Sequence, residues 1–127
     1  MLVVFNVNSD TSRLVKDYYQ SARGIPGSNV LGLSRLVDTL VSDGTTEHWI
    51  KLEQQGEIIE DTIHRSDYLE SRHAWIYFNE RIAIPIANYL KTTIVNGDTL
   101  KNKIRYIVLC KGVPFKIQAV KEITSIA

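Results

Sequence analysis

The chain of 127 residues carries one cysteine, Cys110. An internal disulfide is therefore excluded, no cysteine pair offers zinc-ligand spacing, and stability has to come from packing. No apolar run approaches the roughly 18 residues that mark a membrane span. Met1 leads directly into an apolar strand, without the basic n-region, long apolar h-region and small-residue cleavage site of a secretory leader. As written, a cytoplasmic location is expected. An excess of charge is missing too: the formal net charge of +1 gives no reason to expect nucleic acid or an anionic membrane as partner. Neither G-x-x-x-x-G-K-[ST] nor G-x-G-x-x-G occurs, so the P-loop and dinucleotide fingerprints are absent and no motif names a cofactor. No two of His48, His64 and His73 stand at i, i+4, so their spacing predicts no metal site.

What is present describes an ordinary folded domain. A composition of 44% hydrophobic and 23% charged residues lies far from the signature of disorder. The length fits one domain spanning residues 1–127. The near-neutral total hides an asymmetry. Residues 38–70 hold nine acids against Lys51 and Arg65, whereas residues 91–127 hold seven bases against Asp98 and Glu122. Such runs are usually solvated faces.

The strongest strand signal is residues 104–114, IRYIVLCKGVP, an apolar β-branched run that stops at Cys110, Lys111 and Gly112. A shorter run, LVVF at residues 2–5, halts as abruptly at NVNSD. Residues 8–12 are then rich in helix N-cap types, and Leu14, Val15, Tyr18, Tyr19 and Ala22 recur at helical spacing until Gly24 and Pro26. Residues 30–33 make a weaker strand with Gly32 inside it. Strand, helix and strand this close form a βαβ unit, which crosses over right-handed and sets the two strands parallel.

The acidic middle is read as an excursion from the sheet. Leu36, Val37, Leu40 and Val41 hint at a short helical turn, and residues 48–53 and 57–61 flank Gln54-Gln55-Gly56 as a hairpin. From Ser66 a helical period returns, with Trp75, Phe78, Ile82, Ile86 and Tyr89 or Leu90 on one stripe and Pro85 kinking it or starting a second helix. After Pro114, residues 115–117 form a short extended piece.

This order predicts a three-layer α/β fold of Rossmann-like or flavodoxin-like type, with parallel core strand order 2-1-3 and the acidic hairpin as an excursion. The third strand's edge is left open for the tail, a second copy or another chain to cover. Such sheets open a crevice at the carboxyl ends of strands 1 and 3. Asn6, Asn8, Ser9, Asp10 and Thr11 line one lip, and Cys110, Lys111 and Gly112 the other. A helix N-terminus on the first lip favours an anion, with Lys111 as counter-charge. The plainer reading is that these residues only cap the helix and turn the chain. Cys110 and Asp10 are the weak catalytic candidates, and Cys110 reads more simply as a packed cysteine.

VVFNVNSDTSRLVKDYYQSARGIPGSNVLGL, IAIPIANYLKTT and IRYIVLCKGVPFKI together resemble the N-terminal part of an uncharacterised bacterial family. Its members co-occur with the exosortase, PEP-CTERM protein-sorting system. The shared features are a strand running into Asn-x-Asn-Ser, a Tyr-Tyr helix running into Arg-Gly-Ile-Pro, a Pro-Ile-x-x-Tyr-Leu helix, and Tyr-Ile-Val-Leu before Lys-Gly-Val-Pro. The resemblance implies the first portion of a longer, often exported protein, and it brings no established activity. At fold level alone, the βαβ start is similar to caspase-like and gingipain-like cysteine peptidases, although Lys111 stands where those carry a histidine. Three functions follow as expectations: a binding or scaffold module, a hydrolase using the crevice, or an anion or nucleotide binder without catalysis.

Overall fold

The computed structural model describes residues 1–63 and 72–121. His64, the expected helix start at Ser66 and the end of the tail lie outside the described residues.

Two sheets share one core. The first is parallel, in the order β2-β1-β8, built from β1 (Leu2–Asn6), β2 (Val30–Leu33) and β8 (Ile107–Leu109). This is the 2-1-3 order that the chain sequence implies. Alternation along β1 splits its side chains between two faces. Val3 turns to α1 (Asp10–Arg23), where it packs with Ile25, Cys110, Val15 and Tyr19, while Leu2 and Val4 turn to the main core. Ser9 caps α1, its Oγ accepting from Ser12 N–H at 3.1 Å, and Gly24 ends the helix with φ 59°. The apolar stripe of α1 is narrower than its periodicity predicts. Val15 and Tyr19 meet the sheet, whereas Leu14 and Tyr18, a third of a turn away, are exposed.

The second sheet corrects the excursion. Its order is β3-β4-β5-β9, from β3 (Thr39–Ser42), β4 (Glu47–Glu53), β5 (Ile58–Ile63) and β9 (Lys116–Lys121). The hairpin around Gln54-Gln55-Gly56 forms as expected, but Ile50 and Ile59 on its inner face are fully buried in the same cluster as Leu2 and Val4. Acidic outward positions mask that inner face in the composition. The supposed helical turn at 36–41 is instead strand β3, paired antiparallel to β4, with Val41 inward and Leu40 outward. The short extended piece expected at 115–117 is the start of β9, which runs parallel to β5 from Ile58↔Lys116 to Ile63↔Lys121.

The helical segment breaks into three. α2 (Arg72–Phe78) passes through a π-helical turn (Asn79–Ala83) into α3 (Ile84–Thr92). Ile84 N–H donates to Asn79 O, five residues back, immediately before Pro85, which cannot donate. The wide turn advances the phase of the stripe. Ala74, Tyr77 and Ile82 are the buried apolar positions, with His73 buried beside them, and Trp75, expected inside, is half-exposed and stacked on Phe78. A small hairpin of β6 (Ile94–Val95) and β7 (Asp98–Thr99) turns through Asn96 and Gly97. The long third strand shortens to three residues because Lys103 and Ile104 N–H still bond back to Leu100 O, keeping the chain in a turn until Arg105.

Candidate functional site

The carboxyl ends of β1 and β8 do meet, and their polar groups bond to one another. Asn6 is buried. Its N–H donates to Ser12 Oγ at 2.8 Å, its Nδ2 donates to Gly112 O at 3.1 Å, and its Oδ1 accepts from Asn8 N–H at 2.9 Å. Asn8 Nδ2 reaches Ser34 O on the neighbouring connection. Ser9 is taken up by its capping bond. Asp10 is exposed and pairs with Arg13, and Thr11 is exposed on the helix surface. Gly112 sits at φ 101°, where a Cβ would come within 3.0 Å of Ser12 Cβ and 3.1 Å of Ser9 Oγ. A Cβ on Gly56, at the hairpin turn, would lie 2.8 Å from Gly112 O. The turn of the second sheet thus covers the ends of the first. What stays open is a shallow depression of about 250 Å³ lined by Gln54, Gln55, Glu57 and Lys111.

Cys110 is buried against Val3 and Ile25. Burial pushes its thiol pKa up, opposed in part by the Lys16 charge. That is the reverse of the thiolate stabilisation a nucleophilic cysteine needs.

The second sheet gathers a different set, which linear spacing does not show. His48 on β4 and Asp61 on β5 are diagonal neighbours across the hairpin, on the inner face. His48 Nδ1 stands 2.7 Å from Asp61 Oδ1, with both side chains buried. Asp61 Oδ2 accepts a longer bond, 3.3 Å, from Ala74 N–H in the first turn of α2. His73, one residue earlier, stacks on His48 with ring centroids 3.6 Å apart and planes at 17°. Its Nε2 lies 3.0 Å from Thr46 O and 3.2 Å from Thr46 Oγ1. Its Nδ1 is buried without a hydrogen-bond partner among the described residues. Beside it, Asp43 Oδ1 accepts from Thr45 and Thr46 N–H, both at 2.9 Å, and Arg72 lies 3.3 Å from Oδ2. The two backbone donors, helped by the Arg72 charge and opposed in part by desolvation, hold the Asp43 carboxyl down at about 2.

Once the hairpin register is known, the diagonal between His48 and Asp61 is readable from sequence. His73 arrives from a helix, and only the packing of α2 over the sheet brings it in. Comparison with family models, with curated proteins and with solved structures returned no match for this chain.

Proposed function

We propose that this chain is a binding module that takes up an extended, acidic peptide segment of a partner along the open edge of β8. The carrying observation is the state of that edge. Leu2 N–H donates to Tyr106 O, and Cys110 N–H donates to Val4 O. A parallel ladder uses alternate residues, so the N–H and C=O of Ile107 and Leu109 point away from β1, and among the described residues β8 has no second strand. The side chains of Ile107 and Leu109 are 46% and 38% exposed, and Tyr106 is exposed beside them.

Edges that must stay single are usually guarded by charge or proline within the strand. Here the strand itself is apolar, and the exposed cations Lys101, Lys103, Arg105 and Lys111 stand before and after it. That arrangement favours main-chain pairing with a segment whose flanks are acidic. The same reading accommodates a Rossmann-like frame and the resemblance to the exosortase-associated family.

The test uses synthetic peptides of alternating valine and glutamate, with a valine and lysine counterpart, and amide hydrogen exchange of the protein. The glutamate peptide is expected to bind and to slow exchange at Ile107 and Leu109. Leu109→Pro removes an outward donor and keeps the β1 ladder; it should abolish binding without changing the fold. Equal binding of the lysine peptide, binding retained by Leu109→Pro, or no binding by either peptide would refute the proposal.

A further inference from the structure

The structure assigns a second site, apart from the β8 edge: we propose that His48, Asp61 and His73 form a binding site for a borderline first-row divalent cation such as zinc. One ligand atom from each of the three lies within 4.8 Å of the other two, and all three residues are buried. Two imidazoles with one carboxylate are a donor set for Zn²⁺, Co²⁺ or Fe²⁺, whereas Mg²⁺ and Ca²⁺ prefer oxygen ligands.

The state of His73 carries the inference. Thr46 O can only accept, so the proton of the His73 ring sits on Nε2. This leaves Nδ1 with a bare lone pair, and that atom is buried with no hydrogen-bond partner among the described residues. An imidazole whose far N–H is pinned to a backbone carbonyl while its other nitrogen presents a lone pair is how metal-ligating histidines are oriented. The stacked His48 ring keeps that nitrogen a few ångströms from its own. Asp61 supplies the anionic ligand. It is fully buried, and its Oδ2 accepts only the long bond from Ala74 N–H among the described residues.

In a tetrahedral zinc site the ligand atoms stand about 3.3 Å apart. The 2.7 Å contact between His48 and Asp61 is shorter than this, and the 4.8 Å span of the trio is wider. Binding therefore displaces to solvent the proton held between His48 Nδ1 and Asp61 Oδ1, replaces that hydrogen bond with two metal bonds, and turns one of the stacked rings so that both nitrogen lone pairs converge.

The test is titration of the chelator-stripped full chain with Co²⁺ and with Zn²⁺, beside Mg²⁺. Co²⁺ should bind stoichiometrically with visible d–d bands, and Zn²⁺ should displace it. Zinc at about 100 times its Kd should raise the thermal midpoint by about 10 °C, and Mg²⁺ should not move it. His73→Gln and Asp61→Asn should abolish the bands, and Cys110→Ala, in the separate cluster with Val3 and Ile25, should leave them. Because those two variants act on a buried network, histidine ¹⁵N shifts of the unaltered protein provide a second readout, with Zn²⁺ moving the His48 and His73 Nδ1 signals. Absence of Co²⁺ bands and of a thermal shift, unmoved Nδ1 signals, or binding lost in Cys110→Ala and kept in His73→Gln would overturn the assignment.

Discussion

Gly112 is the residue on which the start of α1 and the β4–β5 turn both close, and its missing side chain is what lets Ser9 and Ser12 approach so near. It combines a φ of 101° with Ser12 and Ser9 atoms at 3.0 and 3.1 Å from any added Cβ. Gly112→Ala should cost about 2 to 4 kcal/mol, from backbone strain and overpacking together. Gly24→Ala is the control: the left-handed cap conformation is shared but nothing lies within 4 Å, so the cost should be about 1 kcal/mol. Urea unfolding of the two variants measures the difference. Tyr77 gives a pH-dependent counterpart. It is fully buried and donates to Val37 O at 2.9 Å. Burial, only partly opposed by Arg81, raises its pKa from 10.0 to about 12. The unfolded chain therefore releases this proton first as pH rises. Its contribution is complete below pH 10 and declines between 10 and about 12. Tyr77→Phe should lower stability by about 1 kcal/mol at neutral pH and flatten that alkaline decline in a series of denaturation curves.

Among the elements, the β4–β5 hairpin shows how local chemistry and tertiary demand diverge. Its turn holds Gln54 and Gln55 at φ 51° and 60°, a region that asparagine enters more readily than glutamine. Gln54→Asn combined with Gln55→Asn should raise the urea midpoint by the equivalent of about 0.5 to 1 kcal/mol at unchanged m-value. The hairpin was legible because Gly56 and the alternating flanks are local signals. β3 was not, since Leu36, Val37, Leu40 and Val41 fit a helical turn equally well until β4 supplies a partner. β9 lacks any local signal beyond residues 115–117, because a parallel strand takes its identity from the strand beside it.

For the whole molecule, the sharing of one core by both sheets is the main result. Ile59 lies in the same cluster as Leu2, Val4 and Tyr77, so the sheets should unfold together. Ile59→Ala should cost about 2 to 5 kcal/mol. It should also lower hydrogen-exchange protection at Val3 and Val4, in the other sheet, by the same free energy. Protection of β1 that survives the substitution would show instead that the sheets are separable units. The open β8 edge belongs to the first sheet, whereas the trio joins the second sheet to α2, so the proposed strand docking and the proposed metal binding should be separable by substitution.

Local signals in the sequence determined β1, the capped helix α1, the parallel βαβ start and the place of β8 beside β1, because apolar runs, cap residues and crossover handedness act over short distances or follow from chain order. They also led to the ends of β1 and β8, at Asn6 and Gly112. Only the tertiary structure decided what occupies that place: Asn6, Ser12, Gly112 and the Gly56 turn close on one another. It alone decided, too, that an acidic stretch contributes Val41, Ile50 and Ile59 to the core and that His73 meets His48 and Asp61. The physical reason is the same in each case. The contacts that bring Gly112 to Asn6, 106 positions away, and His73 onto His48 depend on how sheets and helices pack, and no local pattern encodes that.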